Sequence, residues 1–378
     1  MRVAIVHDWL TGMRGGERVL EAMLELYPDA DIFTLVHAPG SVSQRIEANR
    51  IRTSFLQRLP GALTHWRHYL PLFPLAVERL DVSAYDLVLS SSHCAAKAVR
   101  PGNGATHVSY CHTPMRYVWD QYEAYFARAT PAVRLAMRLM APRLRRWDRR
   151  TADRVDAFVA NSHNVAERVR RTYRRDAAVV YPPVDVSRFA PAPVREDFYL
   201  LVSALVPYKR VDLAVSAFAQ DGRRLVVVGD GPEYARLRRG APGNVTFTGF
   251  VPDEEVASLL GRCRAFIQPG EEDFGIAVVE AQAAGAPVIA YGAGGALETV
   301  VSAASANGTG PTGVLFQPQT PDGLVRALEQ FEAMEFDANN LMKHAHGFSP
   351  ERFRADFAAA VETALERSYA GEACASSR

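Results

Sequence analysis

Residues 265–292 read AFIQPGEEDFGIAVVEAQAAGAPVIAYG, a strand, a loop, a helix and a second strand in immediate succession. AFIQ and APVIAYG are short apolar runs of the kind a buried parallel strand requires. Between them IAVVEAQAAG is an apolar helical run, opened by the loop PGEEDFG (269–275). A loop that leaves the C-terminal edge of a parallel strand and opens a helix is where such folds hold ligands. The helix N-terminus adds free backbone N–H groups and a positive dipole end, which favour anions. Glu272 sits in the loop, and Glu280 about one turn into the helix, where it interrupts the apolar run IAVVEA. A carboxylate in that setting is costly to desolvate unless it accepts hydrogen bonds, and hydroxyl-rich ligands supply suitable donors. Taken alone, Glu271, Glu272 and Asp273 equally suit a role as surface charges favouring a helix N-terminus.

The same alternation extends outward in both directions. FYLLVSAL leads into VDLAVSAFAQ, RRLVVVGDGP into EYARLRR, NVTFTGF into DEEVASLLGRC, and APVIAYG into GALETVV. A separate series opens the chain: VAIVH (3–7), then DIFTLV, YDLVLSSS, THVSYCH and DAFVANS, each short, apolar and ending in small or polar residues. The expectation is an α/β fold of two Rossmann-like parallel-sheet domains. Pro182, Pro183, Pro191 and Pro193 make 181–197 poor helix and poor central strand, so it reads as the linker. The expected domains are 1–185 and 186–349. A helical period over 350–370 is expected to pack back on the first domain, with a frayed tail at 371–378.

Bulk properties narrow the class. The 378 residues exceed one ordinary core, consistent with two domains. With 43 basic and 42 acidic residues the net charge is +1, which gives no argument for nucleic acid as a partner. Four cysteines, none spaced as CxxC and none clustered with histidine, argue for reduced thiols and against a zinc site. The N-terminal apolar run is broken by His7 and Asp8, and no window reaches 18 apolar residues, so neither a signal peptide nor a membrane span is expected. The expected location is cytoplasmic.

Four further constellations carry chemistry. Gly294 and Gly295 in GAGGALE (292–298), one strand after the glutamate pair, let backbone approach a phosphate, although such pairs are also ordinary turns. Lys209 and Arg210 follow the strand FYLLVSAL, either as anion ligands or as a solvated helix start; adjacent helical residues are expected to point apart. The loop GMRGGE (12–17), with Gly15 and Gly16, follows a strand and opens a helix, but its spacing is not the dinucleotide fingerprint GxGxxG, and a tight turn is the alternative. His112 ends the strand THVSYC just before a proline-containing loop with Arg116; it is placed either for ligand contact or as a structural histidine bonded to backbone.

The block from Glu272 to Glu280, spaced E-x7-E and followed by AQAAGAPVIA, resembles the group 1 (family 4) retaining glycosyltransferases of the two-Rossmann GT-B fold, and the resemblance covers nearly the whole chain. It implies two domains facing across a cleft. It implies that Glu272 contacts donor-sugar hydroxyls, Glu280 the nucleotide ribose, and the backbone N–H groups of Phe274 and Gly275 the donor. GAGGALE resembles the family's GGxxE element, here Gly294, Gly295 and Glu298. Lys209 matches the lysine that contacts the donor diphosphate, with Arg210 beside it; the arginine usual five residues earlier is Ala204 here. The resemblance places Gly15 and Gly16 near the donor phosphates, makes His112 the active-site histidine near the reacting carbon, and gives Arg116 to phosphate or acceptor. The family is metal-independent, has no bound cofactor and uses a nucleotide sugar as co-substrate. HDWLTGMRGGE, CHTPMRYVWD and VPYKRVDL look closest to mannosyltransferases of bacterial O-antigen and exopolysaccharide assembly, which implies GDP-mannose as donor and a glycan or polyprenyl-diphosphate-linked acceptor. A nucleotide-sugar epimerase of the same fold and an inactive nucleotide-sugar-binding scaffold remain as alternatives.

Residues 128–150 carry eight arginines, 128, 134, 138, 143, 145, 146, 149 and 150, against one acid, Asp148. Aliphatic residues and Trp147 are interleaved. With the aromatic, proline-broken HWRHYLPLFPLAV (65–77), this suggests a first-domain surface lying on anionic lipid, the alternative being a solvated arginine face.

Overall fold

The computed structural model describes all residues except 121, 127–128, 305–309 and 377–378. Contacts divide the chain into two compact units, Met1–Pro183 with Glu351–Arg378, and Val184–Pro350.

The first unit contains β1 (Val3–His7), β2 (Asp31–Thr34), β3 (Ile51–Thr53), β4 (Asp81–Val82), β5 (Leu87–Ser92), β6 (Arg100–Pro101), β7 (Thr106–Cys111), β8 (Ala157–Ala160) and β9 (Ala177–Val179). Seven of these make one sheet in the order β3-β2-β1-β5-β7-β8-β9, parallel throughout, while β4 and β6 pair separately. The central strands β1, β5 and β7 are almost wholly buried, as strands covered by helices on both faces must be. The order reverses direction between β1 and β5. Such a switch point leaves a crevice at the carboxyl ends of the two strands, here at His7 and Ser92.

The second unit contains β10 (Tyr199–Val202), β11 (Leu225–Val228), β12 (Val245–Gly249), β13 (Ala265–Gln268), β14 (Val288–Tyr291) and β15 (Gly313–Phe316), a parallel sheet ordered β12-β11-β10-β13-β14-β15. Its switch point lies between β10 and β13. The carboxyl end of β13 is Gln268, which delivers the chain directly into the Pro269–Gly275 loop.

The fold class expected from the sequence is the observed one. Most of the stretch read as a linker is docked on the second unit. Ala192 N–H donates to Gly261 O at 3.1 Å, Glu196 N–H to Arg262 O at 2.7 Å, and the Arg195 guanidinium to Cys263 O at 2.8 Å. The prolines keep this segment out of the sheet while side-chain and backbone donors anchor it. The terminal helix Pro350–Ser376 belongs to the first unit from Glu351 onward. Phe353, Phe357 and Val361, spaced on one helical face, are buried against Tyr110 of β7, whose ring lies 5.7 Å and 6.0 Å from the two phenylalanines. The helix continues through the start of the tail expected at 371, since Glu372, Ala373 and Ala375 are good or acceptable helix residues.

Candidate active site

In the first unit the switch point gathers a buried polar cluster. His7 ends β1 and is 1% exposed. Its Nδ1 is 3.1 Å from Ser91 Oγ, and the same hydroxyl is 2.8 Å from His112 Nε2. On the other side His7 Nε2 lies 3.6 Å from a carboxylate oxygen of Glu17. The second Glu17 oxygen accepts the Arg14 N–H at 3.0 Å, closing the start of the helix Gly15–Leu26. A chain of polar groups thus runs from Glu17 through His7 and Ser91 to His112.

Asp8, fully buried, accepts four backbone N–H bonds of 2.6–2.9 Å from His93, Cys94, Ala95 and Ala96, and its carboxylate is 3.2 Å from His93 Nδ1. Its charge is met by the amides of the turn leaving β5, which sets His93 beside His112 with ring centroids 6.1 Å apart. Gly16 explains its own presence: a Cβ there would touch His7 Cε1 at 3.4 Å and His112 Nε2 at 3.7 Å, so any larger side chain would cover the histidines. Gly16 and His112 are therefore brought together, Gly15 opens the same helix, and Arg116 lies near enough for its charge to act on His112.

Burial, followed by the charges of His93 and His7, holds His112 well below the usual histidine range. Burial, with the charges of His7 and Arg116, pushes His93 down to about 3. Both are neutral imidazoles near pH 7, able to donate and accept hydrogen bonds. For Glu17, burial is the largest influence and works to raise the pKa, but hydrogen bonding and charge from His7, with a backbone hydrogen bond and the charge of His93, together outweigh it and the net shift is downward, so the carboxylate stays charged.

In the second unit Lys209 Nζ forms an ion pair with the Glu272 carboxylate, which also accepts from Gln268 Nε2 at 3.3 Å. Both side chains are 19% exposed, open to a ligand from one side. Gly270 lets the loop press on the preceding segment: a Cβ there would lie 2.9 Å from Lys209 Cα and O. Lys209 and Arg210 were expected to point apart, as on a helix. They take different partners, although the chain is not regularly helical here. Lys209 ends a short 3-10 turn, Pro207–Lys209, and Arg210 adopts a left-handed conformation, φ 53°. Arg210 then reaches Gln319 Oε1 at 3.3 Å, while Gln319 Nε2 donates to Pro269 O at 2.9 Å. Lys209 therefore serves the glutamate loop directly, while Arg210 reaches it only through Gln319 and also pairs with Asp212 Oδ1 at 3.3 Å. Ala204, where the arginine was expected, is exposed beyond β10 and brings no charge.

Gly294 and Gly295 are clamped to that loop. Gly295 N–H donates to Glu272 O at 2.8 Å, and Gly294 pairs with Glu272 in a parallel bridge. A Cβ at Gly294 would lie 2.4 Å from Glu272 O, and one at Gly295 2.3 Å from Phe274 O. Both glycines are thus required by protein backbone, independently of any phosphate. Gly275, φ 94°, opens the helix Ile276–Ala283 with no side-chain cap, and an uncapped helix N-terminus favours anions. Phe274 is 3% exposed and stacks edge-on to Phe348. Glu280 and Glu298 lie partly exposed on the helices Ile276–Ala283 and Ala296–Thr299.

Sequence reasoning missed His7, Asp8, Glu17, Ser91 and His93. The available signal was polar residues ending strands: HD after VAIV, and SSSH after LVL, at what proved to be the switch point.

The sequence models of two families match in tandem. "Glycosyltransferase Family 4" covers residues 13–188, and "Glycosyl transferases group 1" covers residues 185–347. The chain belongs to the group 1 glycosyltransferases. Among relatives of this glycosyltransferase, the GDP-mannose-dependent alpha-(1-6)-phosphatidylinositol monomannoside mannosyltransferase of Mycobacterium tuberculosis is 34% identical over 193 residues, 43% of this chain and 50% of that protein. The O-antigen chain mannosyltransferase C of Escherichia coli is 29% identical over 220 residues, 53% and 58% of the two chains. The glycosyltransferase therefore spans about half the length of the curated relatives it matches. HepE of Anabaena, solved in complex with UDP-glucose, superposes with a TM-score of 0.70 over 96% of this chain and 100% of that one, at 20% identity, and shares the GT-B fold.

The basic segment 128–150 is mostly one helix, Pro131–Thr151. Arg128 lies outside the described residues. Arg134, Arg138, Arg143, Arg146 and Arg150 are exposed. Arg145 is not part of a free arginine face: it donates to Val118 O at 2.6 Å and lies over Trp119. Arg149, although exposed, donates to Thr172 O at 3.1 Å. Met137, Leu144 and Trp147 are core. No helix among the described residues is long and apolar enough to cross a membrane.

Proposed function

We propose that the protein transfers a hexose, mannose from GDP-mannose, to a hydroxyl of a growing lipid-linked glycan in cell-surface polysaccharide synthesis. The observation that carries this reading is the Lys209–Glu272 pair at the switch point of the second sheet, walled by the Gly294–Gly295 turn and the uncapped helix at Gly275. A diphosphate displaces Glu272 from Lys209 and takes the ammonium and the helix end. Glu272 is then released to accept from sugar hydroxyls, while Glu280 takes the ribose and Glu298 the donor's remaining polar edge. Arg210 supplies the second positive charge that Ala204 does not. The half-length matches to GDP-mannose-dependent enzymes support the donor.

With both glutamates engaged in holding the donor, the retaining route through a carboxylate nucleophile is disfavoured. The sugar is instead transferred on one face, with retention, the leaving phosphate accepting the proton of the acceptor hydroxyl. Lys209 and the N–H groups at Phe274 and Gly275 stabilise the charge on that phosphate, and no metal is required. In the first unit, His112 is a neutral imidazole suited to a sugar hydroxyl, with Gly15 and Gly16 leaving room beside it and Arg116 for phosphate or acceptor. The protein acts at the cytoplasmic face of the membrane, held there peripherally.

The test is a panel of GDP-, UDP- and ADP-sugars, with binding by calorimetry and product analysis with and without acceptor. Binding and transfer of mannose from GDP-mannose are expected, with transfer abolished in Glu272→Ala and the fold intact. A hexose of new configuration formed without acceptor would indicate an epimerase, and nucleotide-sugar binding with no transfer an inactive binding scaffold.

A further inference from the structure

A groove of about 440 Å³ opens in the first unit between the segment around Trp66–Phe73 and the helix Pro131–Thr151. That size lies within the range of small-molecule sites. Trp66, Leu70, Phe73, Tyr117, Met137 and Met140 wall it, and Arg67 and His68 are its charged or titratable lining. Val133, Ala136, Met137 and Met140 are spaced as one helical stripe facing it, yet Val133 is 45% exposed and Ala136 is exposed too. Part of an apolar stripe is left uncovered.

Three observations decide the occupant. First, the walls are carbon almost throughout. A peptide would bring backbone N–H and C=O groups into a surface with few partners, at a cost of the order of 1–3 kcal/mol for each group left unbonded, whereas hydrocarbon brings none. Methionine walls adapt readily to a flexible chain. Second, the charged lining is basic. Arg67, which lines the groove beside His68, lies over the Trp66 ring at 4.1 Å, and Arg134, Arg138 and Arg143 are exposed elsewhere on the helix Pro131–Thr151. The helix's one acid, Asp148, does not offset them, because it is buried and paired with Lys97 at 3.0 Å. Third, the groove adjoins the histidine cluster. Trp66 packs on Trp9 with centroids 3.9 Å apart, Trp9 meets His93 at 4.4 Å, and His93 neighbours His112.

We propose that this groove holds the hydrocarbon tail of the lipid acceptor, with the lipid's phosphate at the Arg67–His68 rim and its glycan on the side of His93 and His112. The proposal rests on the glycosyl-transfer reading for the acceptor's identity, and it assigns that acceptor a binding site. Leu72 and Leu75, exposed at 37% and 46%, and Leu135 and Leu139, each exposed at 60%, enter the bilayer around it.

The probe is farnesyl diphosphate, added to the full chain without donor and followed by calorimetry. Saturable binding is expected, with inorganic diphosphate failing to compete at the same concentration. Ala136→Trp fills the groove from an exposed position; it is expected to weaken farnesyl diphosphate at least tenfold while GDP-mannose binding stays within twofold. Met140→Trp provides an independent second block. Undiminished binding in both folded variants, or full competition by inorganic diphosphate, overturns the groove. Because this readout needs no transfer, a failure of glycosyl transfer would overturn the functional reading and leave the groove result standing.

Discussion

Ser91 is a small residue with a large consequence, because its one hydroxyl is shared by His7 and His112. With Glu17 charged and facing His7 Nε2, the favoured proton arrangement puts hydrogen on that nitrogen. His7 Nδ1 then accepts from Ser91 Oγ, which in turn accepts from His112 Nε2, so His112 offers a lone pair at Nδ1. Ser91→Ala is expected to cut turnover roughly tenfold, the scale of one oriented hydrogen bond. The donor KM should stay within about twofold, a split measured by steady-state kinetics. An unchanged kcat in a folded Ser91→Ala variant would remove Ser91 as a positioning residue. Lys209→Met belongs at this scale too. It removes the ammonium at the leaving phosphate and leaves Glu272 with Gln268 as its remaining described partner. Donor affinity and turnover should both fall, by about tenfold or more in kcat/KM. An unchanged kcat/KM would take Lys209 out of the phosphate site. His112 and Lys209 could be named from the sequence as candidates, His112 because it directly follows a strand and Lys209 because it sits in a recognisable motif beyond one. Ser91 could not, because a serine ending an apolar strand reads as an ordinary strand end.

At the scale of elements, two contacts carry the most weight. The Gly294–Gly295 turn is bound to the glutamate loop by backbone, and Gly294→Ala would force a Cβ to within 2.4 Å of Glu272 O at a φ of 61°. The expected result is a second unit less stable by about 1–3 kcal/mol and a donor site with weakened affinity. Denaturant melts and GDP-mannose titration would check both, and wild-type values for each would show that the clamp is dispensable. The terminal helix is held to the first unit by Phe353 and Phe357, stacked at 5.4 Å and buried against Tyr110. Phe357→Ala should cost about 3–5 kcal/mol, the usual range for emptying a buried aromatic site, and loosen amide protection along the helix. The helix itself was legible from its apolar period. The 3-10 turn that aims Arg210 was not, since its left-handed residue is an arginine rather than a glycine.

For the whole molecule, acid sensitivity should be uneven. His93 is pushed down to about 3 and His107 to about 4, both chiefly by burial, and His112 lies well below its usual range; all three are in the first unit. Their folded pKa values are below the unfolded value of about 6.5, so the unfolded chain takes up more protons as the pH falls. The stability they contribute is complete above about 6.5 and is lost from there toward 4 and 3. In the second unit, hydrogen bonding to Arg264, helped by Tyr199, lowers Glu332 to about 2. Its contribution holds down to about 4.5 and is lost only below that. His344, also lowered by burial, adds a smaller dependence there. Between pH 6.5 and 4.5, hydrogen exchange should show the first unit weakening before the second. Parallel loss in both units from pH 6.5 would count against this assignment.

The sequence by itself determined the succession of strand, loop and helix, the parallel sheets that follow from it, and the loops that bear chemistry. Those are local properties: hydrophobic period, the punctuation of glycine and proline, and polar residues at strand ends. Tertiary structure alone decided which of these loops meet. Lys209 and Glu272 are 63 positions apart, and Ser91 is 84 from His7 and 21 from His112. Each pair is brought together by the order in which strands enter the sheet, above all by the two switch points. Periodicity reports that a strand is buried but not which strand lies beside it, so the glutamate loop and Lys209 could each be picked out of the chain while their pairing, and the run of polar groups from Glu17 to His112, could not.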